Sequence, residues 1–312
     1  MKVVSVKNVS KFYGQKQVLD NVSFDIEEKE IFGLLGSNGA GKSTITSIIL
    51  GLEKQSSGNV VLFEGQKKNL KKRIALVPQS TAFYKDFSVE KNLRFFASVC
   101  GLKSKQIKPR VKFLMSWLSL EPFKDVKAGH LSGGYQRLLN IACSLVHDPE
   151  LIFFDEPTVG LDPKMRQMFW LKIQDLKAAG KTIIITTHYM DEAEKLCTKL
   201  ALMKNGKMLV IGKPRELISQ YGGIKVMIFN ITGGVKKEDI QKIRTVLNQF
   251  TVISRDELLF IPFEQEHTFE KVIAVTEWLM KKGYNISSSI TKEPNLEDVF
   301  LNITGEGMKQ QE

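Results

Sequence analysis

The chain has 312 residues, 43% of them hydrophobic and 25% charged, with 45 Lys/Arg against 34 Asp/Glu and a formal net charge of +11. This length suits about two domains with a full core, and the composition is ordinary for a globular protein. No apolar run approaches the ~18–20 residues that cross a bilayer, which excludes a membrane-spanning protein of the helical kind.

Met1 to Lys7 alternates like a strand and has no signal-peptide apolar region, so a cytoplasmic location is expected. Cys100, Cys143 and Cys197 are odd in number and far apart, which predicts reduced, partly buried thiols rather than a disulfide framework or a zinc site. The charge is unevenly spread. Residues 1–222 hold 34 basic and 21 acidic side chains, residues 223–312 hold 11 and 13, and residues 84–130 hold 10 and 4. A basic stretch of that kind suits nucleic acid, an anionic membrane surface, or a plain solvated face.

Strands are predicted around Val3–Val9 and Val18–Ile26, joined by a turn that carries Phe12 and Tyr13. An aromatic there can pack in the sheet or stack on a base. Glu30 to Leu35 reads as a short buried strand and Thr44 to Leu50 as a helix. Between them lies Gly36-Ser37-Asn38-Gly39-Ala40-Gly41-Lys42-Ser43-Thr44, which fits G-x-x-x-x-G-K-[ST] in the strand–loop–helix context this motif requires. Its glycines let backbone N–H groups turn onto a polyphosphate, and the helix N-terminus adds partial positive charge. Lys42 can reach the β/γ-phosphates, and Ser43 can ligate Mg²⁺.

A strand at Asn59–Phe63 follows, then one at Ile74–Val77 that runs into Pro78-Gln79. Gln79 stands at a strand's carboxyl end, where open parallel sheets bind ligands, and can orient water or touch Mg²⁺. Residues 88–148 read as helical: Ser88 as an N-cap, a first helix closed at Gly101, and a second from Lys108 to Leu120. Phe95, Phe96, Phe113 and Trp117 suit core or interface positions. Leu131-Ser132-Gly133-Gly134-Tyr135-Gln136-Arg137 then opens an apolar helix, a second candidate anion site at a helix N-terminus.

Leu151 to Phe154 is an apolar run that predicts a strand covered on both faces, and it ends in Asp155 and Glu156. Asp155 is placed to hold Mg²⁺ through a water, and Glu156 to polarise an attacking water. A turn at Val159–Pro163 opens a helix to Ala179. Thr182–Thr187 is a second buried strand, with His188 at its carboxyl end where it can bridge to a γ-phosphate or serve structurally. Asn205-Gly206 marks a hairpin turn, and Gly222-Gly223 a boundary. Residues 224–312 alternate as strand, helix, two strands, helix and strand, then Leu296–Leu301. This is the order of a ferredoxin-like α+β unit, without a catalytic constellation.

The ordered set GSNGAGKST, VPQ, LSGGYQR, LIFFDEP, VGLD and TTH resembles the ATP-binding cassette (ABC) ATPases, nucleotide-binding subunits of transporters, over about residues 1–222. The resemblance implies an α/β P-loop NTPase core of ABC type with antiparallel β and helical subdomains, the helical one spanning about residues 84–148. The α+β ferredoxin-like domain would occupy residues 223–312. It implies ATP and Mg²⁺ as cofactors and assigns roles residue by residue. Tyr13 is the aromatic on adenine, and Gly36, Ser37, Asn38, Gly39, Ala40, Gly41, Lys42, Ser43 and Thr44 form the Walker A loop. Gln79 is the Q-loop glutamine, Asp155 the Walker B aspartate, Glu156 the catalytic base, Asp162 the D-loop aspartate and His188 the switch histidine. Ser132, Gly133 and Gly134 belong to the signature, which in this family meets the ATP of a second subunit. The signature commonly ends in Gln-Arg or Arg-Arg; here Gln136-Arg137 is followed by Leu138, where a second basic residue often sits, which puts contacts around that helix in question.

His188–Glu194, Asn295–Leu301 and Thr304-Gly305 look like the drug- and antibiotic-resistance branch of export ATPases. The resemblance therefore implies a separate membrane permease, a homodimer or a heterodimer with a second ABC ATPase, and a peripheral position on the cytoplasmic face of the membrane. No nucleic acid is expected. The basic helical insert would receive the permease and also suit an anionic leaflet. A soluble ABC ATPase acting on the ribosome or nucleic acid, or the ATPase of an importer, are the alternatives.

Overall fold

The structure is a computed structural model that describes residues 1–66, 68–247, 253–263 and 268–304. The chain divides into two compact units, Met1–Pro214 and Arg215–Glu312.

In chain order the first unit runs β1 (Lys2–Tyr13), β2 (Lys16–Glu27), β3 (Ile31–Leu35), α1 (Lys42–Ile49), β4 (Ser57–Leu62), α2 (Leu70–Arg73) and β5 (Ile74–Val77). The helices α3 (Val89–Val99), α4 (Ser104–Trp117) and α5 (Gly133–Ser144) follow. It closes with β6 (Leu151–Asp155), α6 (Pro163–Ala178), β7 (Thr182–Thr187), α7 (Met190–Leu196), β8 (Lys199–Lys204) and β9 (Lys207–Gly212). β2-β1-β4 form an antiparallel sheet, and β5-β6-β7-β3-β8-β9 form a six-stranded sheet in which all neighbours but the β8–β9 hairpin are parallel. β3 and β7 are buried along their whole length; β3 is an apolar run, and β7 holds Ile183–Ile185 between threonines. One core joins the two sheets: Val4, Val6 and Ile26 pack with Phe32, Ile45 and Phe153, and Phe24 stacks on Phe32 at 5.2 Å between centroids.

Local chemistry sets the helix ends. The Ser88 hydroxyl accepts from Lys91 N–H at the start of α3. The α3 cap residue is Cys100; Gly101 stands one position later with φ 79°, the left-handed place that glycine fills. α4 begins at Ser104, a turn before the expected Lys108: Lys103 N–H donates to Gln106 Oε1 at its start, and the helix runs through Pro109, which removes one i→i−4 bond. It stops at Trp117, short of Leu120, where Ser119 takes φ 55°. β4 ends at Leu62 rather than Phe63, since Phe63 and Glu64 both take positive φ. The Arg110 guanidinium ties α4 to the end of α5, donating to the carbonyls of Leu145 and Val146 and to Asp148.

The second unit contains most of α8 (Pro214–Tyr221), so its start precedes the Gly222-Gly223 pair. β10 (Lys225–Ile231), α9 (Lys237–Leu247), β11 (Ile253–Arg255), β12 (Leu258–Phe263), α10 (Thr268–Lys281), β13 (Ile286–Lys292) and α11 (Leu296–Thr304) follow. The sheet order β11-β12-β10-β13, all antiparallel, is the ferredoxin-like arrangement. Its core packs Phe229, Ile231, Leu259 and Ile261 against Ile243, Val275 and Leu279. The expected end of α9 at Gln249, the expected strand start at Thr251, and Gly305 lie outside the described residues.

The β8–β9 turn positions the phosphate loop. Asn205 and Gly206 have φ 49° and 77°, the two left-handed positions of a hairpin turn. Gly206 N–H donates to the Ala40 carbonyl at 3.0 Å, while its own carbonyl accepts from Asp20 at 2.9 Å. A Cβ on Gly206 would stand 2.3 Å from the Val18 carbonyl oxygen. Gly206→Ala is therefore expected to cost roughly 2–4 kcal/mol in denaturant unfolding. Gly51→Ala, at φ 69° with open space around it, should cost only about 1 kcal/mol.

Candidate nucleotide site

Three parallel strands deliver the site. β3, β6 and β7 end side by side, and each is followed by a candidate residue at its carboxyl end: the Gly36–Thr44 loop after β3, Glu156 after β6 and His188 after β7. Buried strands with short exits hold these groups on rigid stems, in the crevice where such sheets bind ligands.

The loop closes on itself around Lys42. Ala40 N–H donates to the Ser37 carbonyl, and Gly41 takes φ 103° to turn into α1. A side chain on Gly41 would meet Leu19 at 2.8 Å, so only glycine lets the loop lie this close to β2. Lys42 is 6% exposed and donates to the carbonyls of Gly36 at 2.7 Å and Ser37 at 3.1 Å. Its ammonium is 3.8 Å from the Glu156 carboxylate. Burial pulls the Lys42 pKa down, and the charges of Glu156 and Asp155 oppose that. Ser37, Asn38, Gly39 and Ser43 are exposed on the mouth of the loop.

Glu156 has φ 43°, an unusual backbone state for a non-glycine residue, and its N–H donates to the carbonyl and hydroxyl oxygens of Thr186 at 3.0 and 3.1 Å. His188 Nδ1 lies 3.1 Å from Glu156 Oε2, out of line for a hydrogen bond. Asp155 Oδ1 accepts from the Thr186 hydroxyl at 2.6 Å. Lys42, Asp155, Glu156 and His188 therefore form one contact network, with Thr186 as its pivot. Sequence reasoning missed Thr186, since a threonine in an apolar strand signals only β propensity.

Other expected residues lie at its edges. Tyr13 is 47% exposed, and its hydroxyl donates to Glu53, with the Thr44 hydroxyl beside it. Ser132 caps α5 without a side-chain cap bond, and Ser132 and Gly133 are exposed. Gly134, in the first turn of α5, packs against α6, where a Cβ would stand 2.8 Å from the methyl of Met165. Asp162 is the N-cap of α6 and accepts from Met165 N–H at 2.9 Å. The signature turn and Asp162 thus meet through Met165.

Arg137 binds these parts together. It is 9% exposed and donates to four carbonyls: Pro78 at 2.6 Å, Gln79 at 3.0 Å, Pro157 at 2.9 Å and Asp155 at 3.3 Å. Burial pulls its pKa down to about 10 against the opposing charges of Asp155 and Glu192. Asn140, one turn on, donates to the carbonyls of Pro78 and Ser80 and accepts from Ala82 N–H. Gln79 itself is exposed. The apolar neighbours Leu138 and Ile141 were the available sign that this helix is buried. Leu138 is only 2% exposed, so the place where a second basic residue often sits is filled here by a core side chain.

Behind the site, Glu192 is 1% exposed and faces the Thr158 and Thr187 hydroxyls and the Trp170 indole, without a well-aligned bond from Thr158 or Trp170. Burial raises its pKa above 4.5. A carboxyl raised on folding adds stability below its unfolded pKa and loses it as pH climbs through the folded value. Glu192→Gln should thus raise the unfolding midpoint at neutral pH, with the gain vanishing toward acid. Arg137→Leu should lower stability by at least about 3 kcal/mol, because it strands four carbonyls. Arg137→Lys should fall between, both read by denaturant unfolding.

Comparison with known proteins is consistent with this geometry. The profile of the family described as ABC transporter matches residues 19–159. The chain is 36% identical over 310 residues to Nod factor export ATP-binding protein I of Sinorhizobium fredii, covering 98% of this chain and 87% of that protein. It is 33% identical over 311 residues to the linearmycin resistance ATP-binding protein LnrL of Bacillus subtilis, covering 98% and 100%. Among solved structures, cbiO1 of Clostridium perfringens, part of an ABC transporter complex, superposes with a TM-score of 0.65 at 27% identity over 79% of this chain and 96% of its own. A P-loop at the end of β3, a signature turn at the start of α5 and similarity along nearly the whole chain lead to one conclusion: it belongs to the ABC transporter family, as an ATP-binding, ATP-hydrolysing subunit of the export type.

Proposed function

We propose that the chain acts as one half of an ATP-clamped dimer, paired with a second copy or a related ATPase, that drives a separate membrane permease from the cytoplasmic face. The observation that carries this reading is the convergence of Lys42, Glu156 and His188 at adjacent strand ends. Lys42 exchanges its two loop carbonyls for β/γ-phosphate oxygens, and the loop N–H groups and α1 N-terminus take the rest of the negative charge. Glu156 polarises the attacking water, and His188, beside it, orients the γ-phosphate. Tyr13 exchanges Glu53 for an adenine ring.

The donor set suits Mg²⁺. Ser43 offers a hydroxyl, Asp155 a carboxylate and Gln79 an amide oxygen, all hard ligands, and Mg²⁺ commonly takes one or two carboxylates with substrate phosphates and water. Bound there, the ion supplies charge neutralisation for phosphoryl transfer. The unbonded Ser132 hydroxyl and exposed Gly133, with half-buried Gly134 behind them at the N-terminus of α5, leave a second anion cradle for the ATP of the partner subunit.

The permease needs a surface. Tyr84, Phe87, Phe95 and Phe96 form a cluster of rings 5.0–6.3 Å apart, with Tyr84 50% and Phe95 37% exposed. Aromatics gathered at a surface favour protein contact. No helix among the described residues is long and apolar enough to cross a membrane. The spanning part of the transporter is therefore assigned to the partner.

Glu156→Gln is the test. It should lower the ATPase rate by ~10²–10⁴-fold while ATP still binds. In ATP the variant should double its mass on a sizing column and retain a polytopic membrane protein from solubilised membranes. Full hydrolysis by this variant, or capture of ribosomes or nucleic acid with no membrane protein, would overturn the reading.

A further inference from the structure

The first unit carries a basic surface that the nucleotide site does not use. No Asp or Glu occurs between Glu64 and Asp86 or between Glu90 and Glu121, so α2, β5, most of α3 and all of α4 lack acidic residues. The arginines of these stretches are structurally committed: Arg73 pairs with Glu150, Arg94 with Glu90 and Arg110 with Asp148. The lysines are not. Lys71, Lys72, Lys103, Lys105, Lys108 and Lys112 are exposed, and among the described residues none has a carboxylate within ion-pair distance. Distant sequence segments contribute to one patch, because the Lys72 ammonium lies 3.6 Å from where a side-chain carbon on Gly101 would stand, at the turn between α3 and α4. Like charges gathered this way repel one another, and an anionic partner relieves that repulsion.

The same tip exposes apolar side chains. Val99 at the end of α3 is 67% exposed, and Phe95, one turn before it, is 37% exposed. Phe95 and Val99 are four residues apart, so the apolar face of α3 runs on from the aromatic cluster to the lysines. Lysine ammoniums around projecting apolar groups suit a lipid interface, where the apolar groups enter the headgroup boundary and the ammoniums meet phosphates. A single-stranded nucleic-acid surface would instead call for aromatic stacking platforms among the basic residues, and the exposed apolar side chain beside the α3–α4 turn is the aliphatic Val99.

We propose that this helical tip, with α2 beside it, docks on the anionic lipid headgroups of the membrane surface. The proposal rests on the reading of the chain as a transporter ATPase, since that reading brings the surface to a membrane. Each lysine near an anionic leaflet contributes roughly fivefold to partitioning. The lipid contact acts in addition to the permease contact and orients the subunit against the bilayer.

The test is vesicle co-sedimentation of the full chain. Wild-type protein should bind vesicles of phosphatidylcholine with phosphatidylglycerol, release in high salt, and ignore phosphatidylcholine alone. Lys103→Gln/Lys105→Gln/Lys108→Gln should lose more than tenfold in binding, and Lys72→Gln alone about fivefold. Val99→Asp should weaken binding further, while Lys7→Gln/Lys29→Gln/Lys177→Gln, away from the patch, should change it little. Equal binding to both vesicles, or a triple variant that binds like wild type, would overturn the proposal. So would tighter, salt-sensitive binding of duplex DNA or RNA abolished by the same triple variant. Nucleotide binding and permease capture are measured on the same samples. If both persist without vesicle binding, the lipid inference alone fails; if both are lost in the wild type, the transporter reading fails.

Discussion

The site depends on one buried cation. Among the described residues Arg137 has no carboxylate partner at ion-pair distance; it is held by four backbone carbonyls drawn from the exit of β5 and the exit of β6. A guanidinium presents five donors in a rigid plane, and here that plane joins carbonyls 18 to 59 residues away in sequence. Lysine has no such fork. Because the loops that carry Gln79, Asp155 and Glu156 share this one anchor, they are positioned relative to the signature helix as a unit. Movement of α5 is therefore mechanically tied to the Gln79 loop, which leads directly into the aromatic surface of the helical insert.

Electrostatics makes the phosphate loop receptive. Lys42 sits almost wholly out of water between two backbone carbonyls and the Glu156 carboxylate. Burial lowers the Lys42 pKa, and the charges of nearby Glu156 and Asp155 oppose that shift. The carbonyl bonds are weaker than bonds to phosphate oxygens, so under the proposed function a polyphosphate would displace them at little cost. Glu156, held in a left-handed backbone state by Thr186, is kept beside both Lys42 and His188 rather than relaxing into the strand.

Much of this was legible from residue order. The strand–loop–helix around Gly36–Thr44 carried its own context, and the apolar runs Leu151–Phe154 and Thr182–Thr187 announced buried strands with polar exits. What was not legible came from through-space partners. Thr186 looks like any β-branched strand residue, and its bonds to Asp155 and Glu156 exist only because β6 and β7 are neighbours. Arg137 was visible as part of a motif, but its burial depended on α5 packing under two strand exits. Helix bounds slipped for local reasons: Pro109 was tolerated inside α4, and Ser119 ended it early by adopting positive φ.

The sequence by itself determined most element types, the family and the candidate groups at the strand exits, because glycine, lysine and carboxylate have few substitutes in a phosphate loop and its strand exits. The ferredoxin-like order of the second unit was likewise written in its alternation of strands and helices. Only tertiary structure decided which groups touch. It brought His188 to Glu156 across 32 residues, Gly134 to Met165, and Lys72 to the turn before Lys103. The reason is physical: periodicity and propensity act within a few residues, whereas contact distance is set by the order in which strands join the sheet.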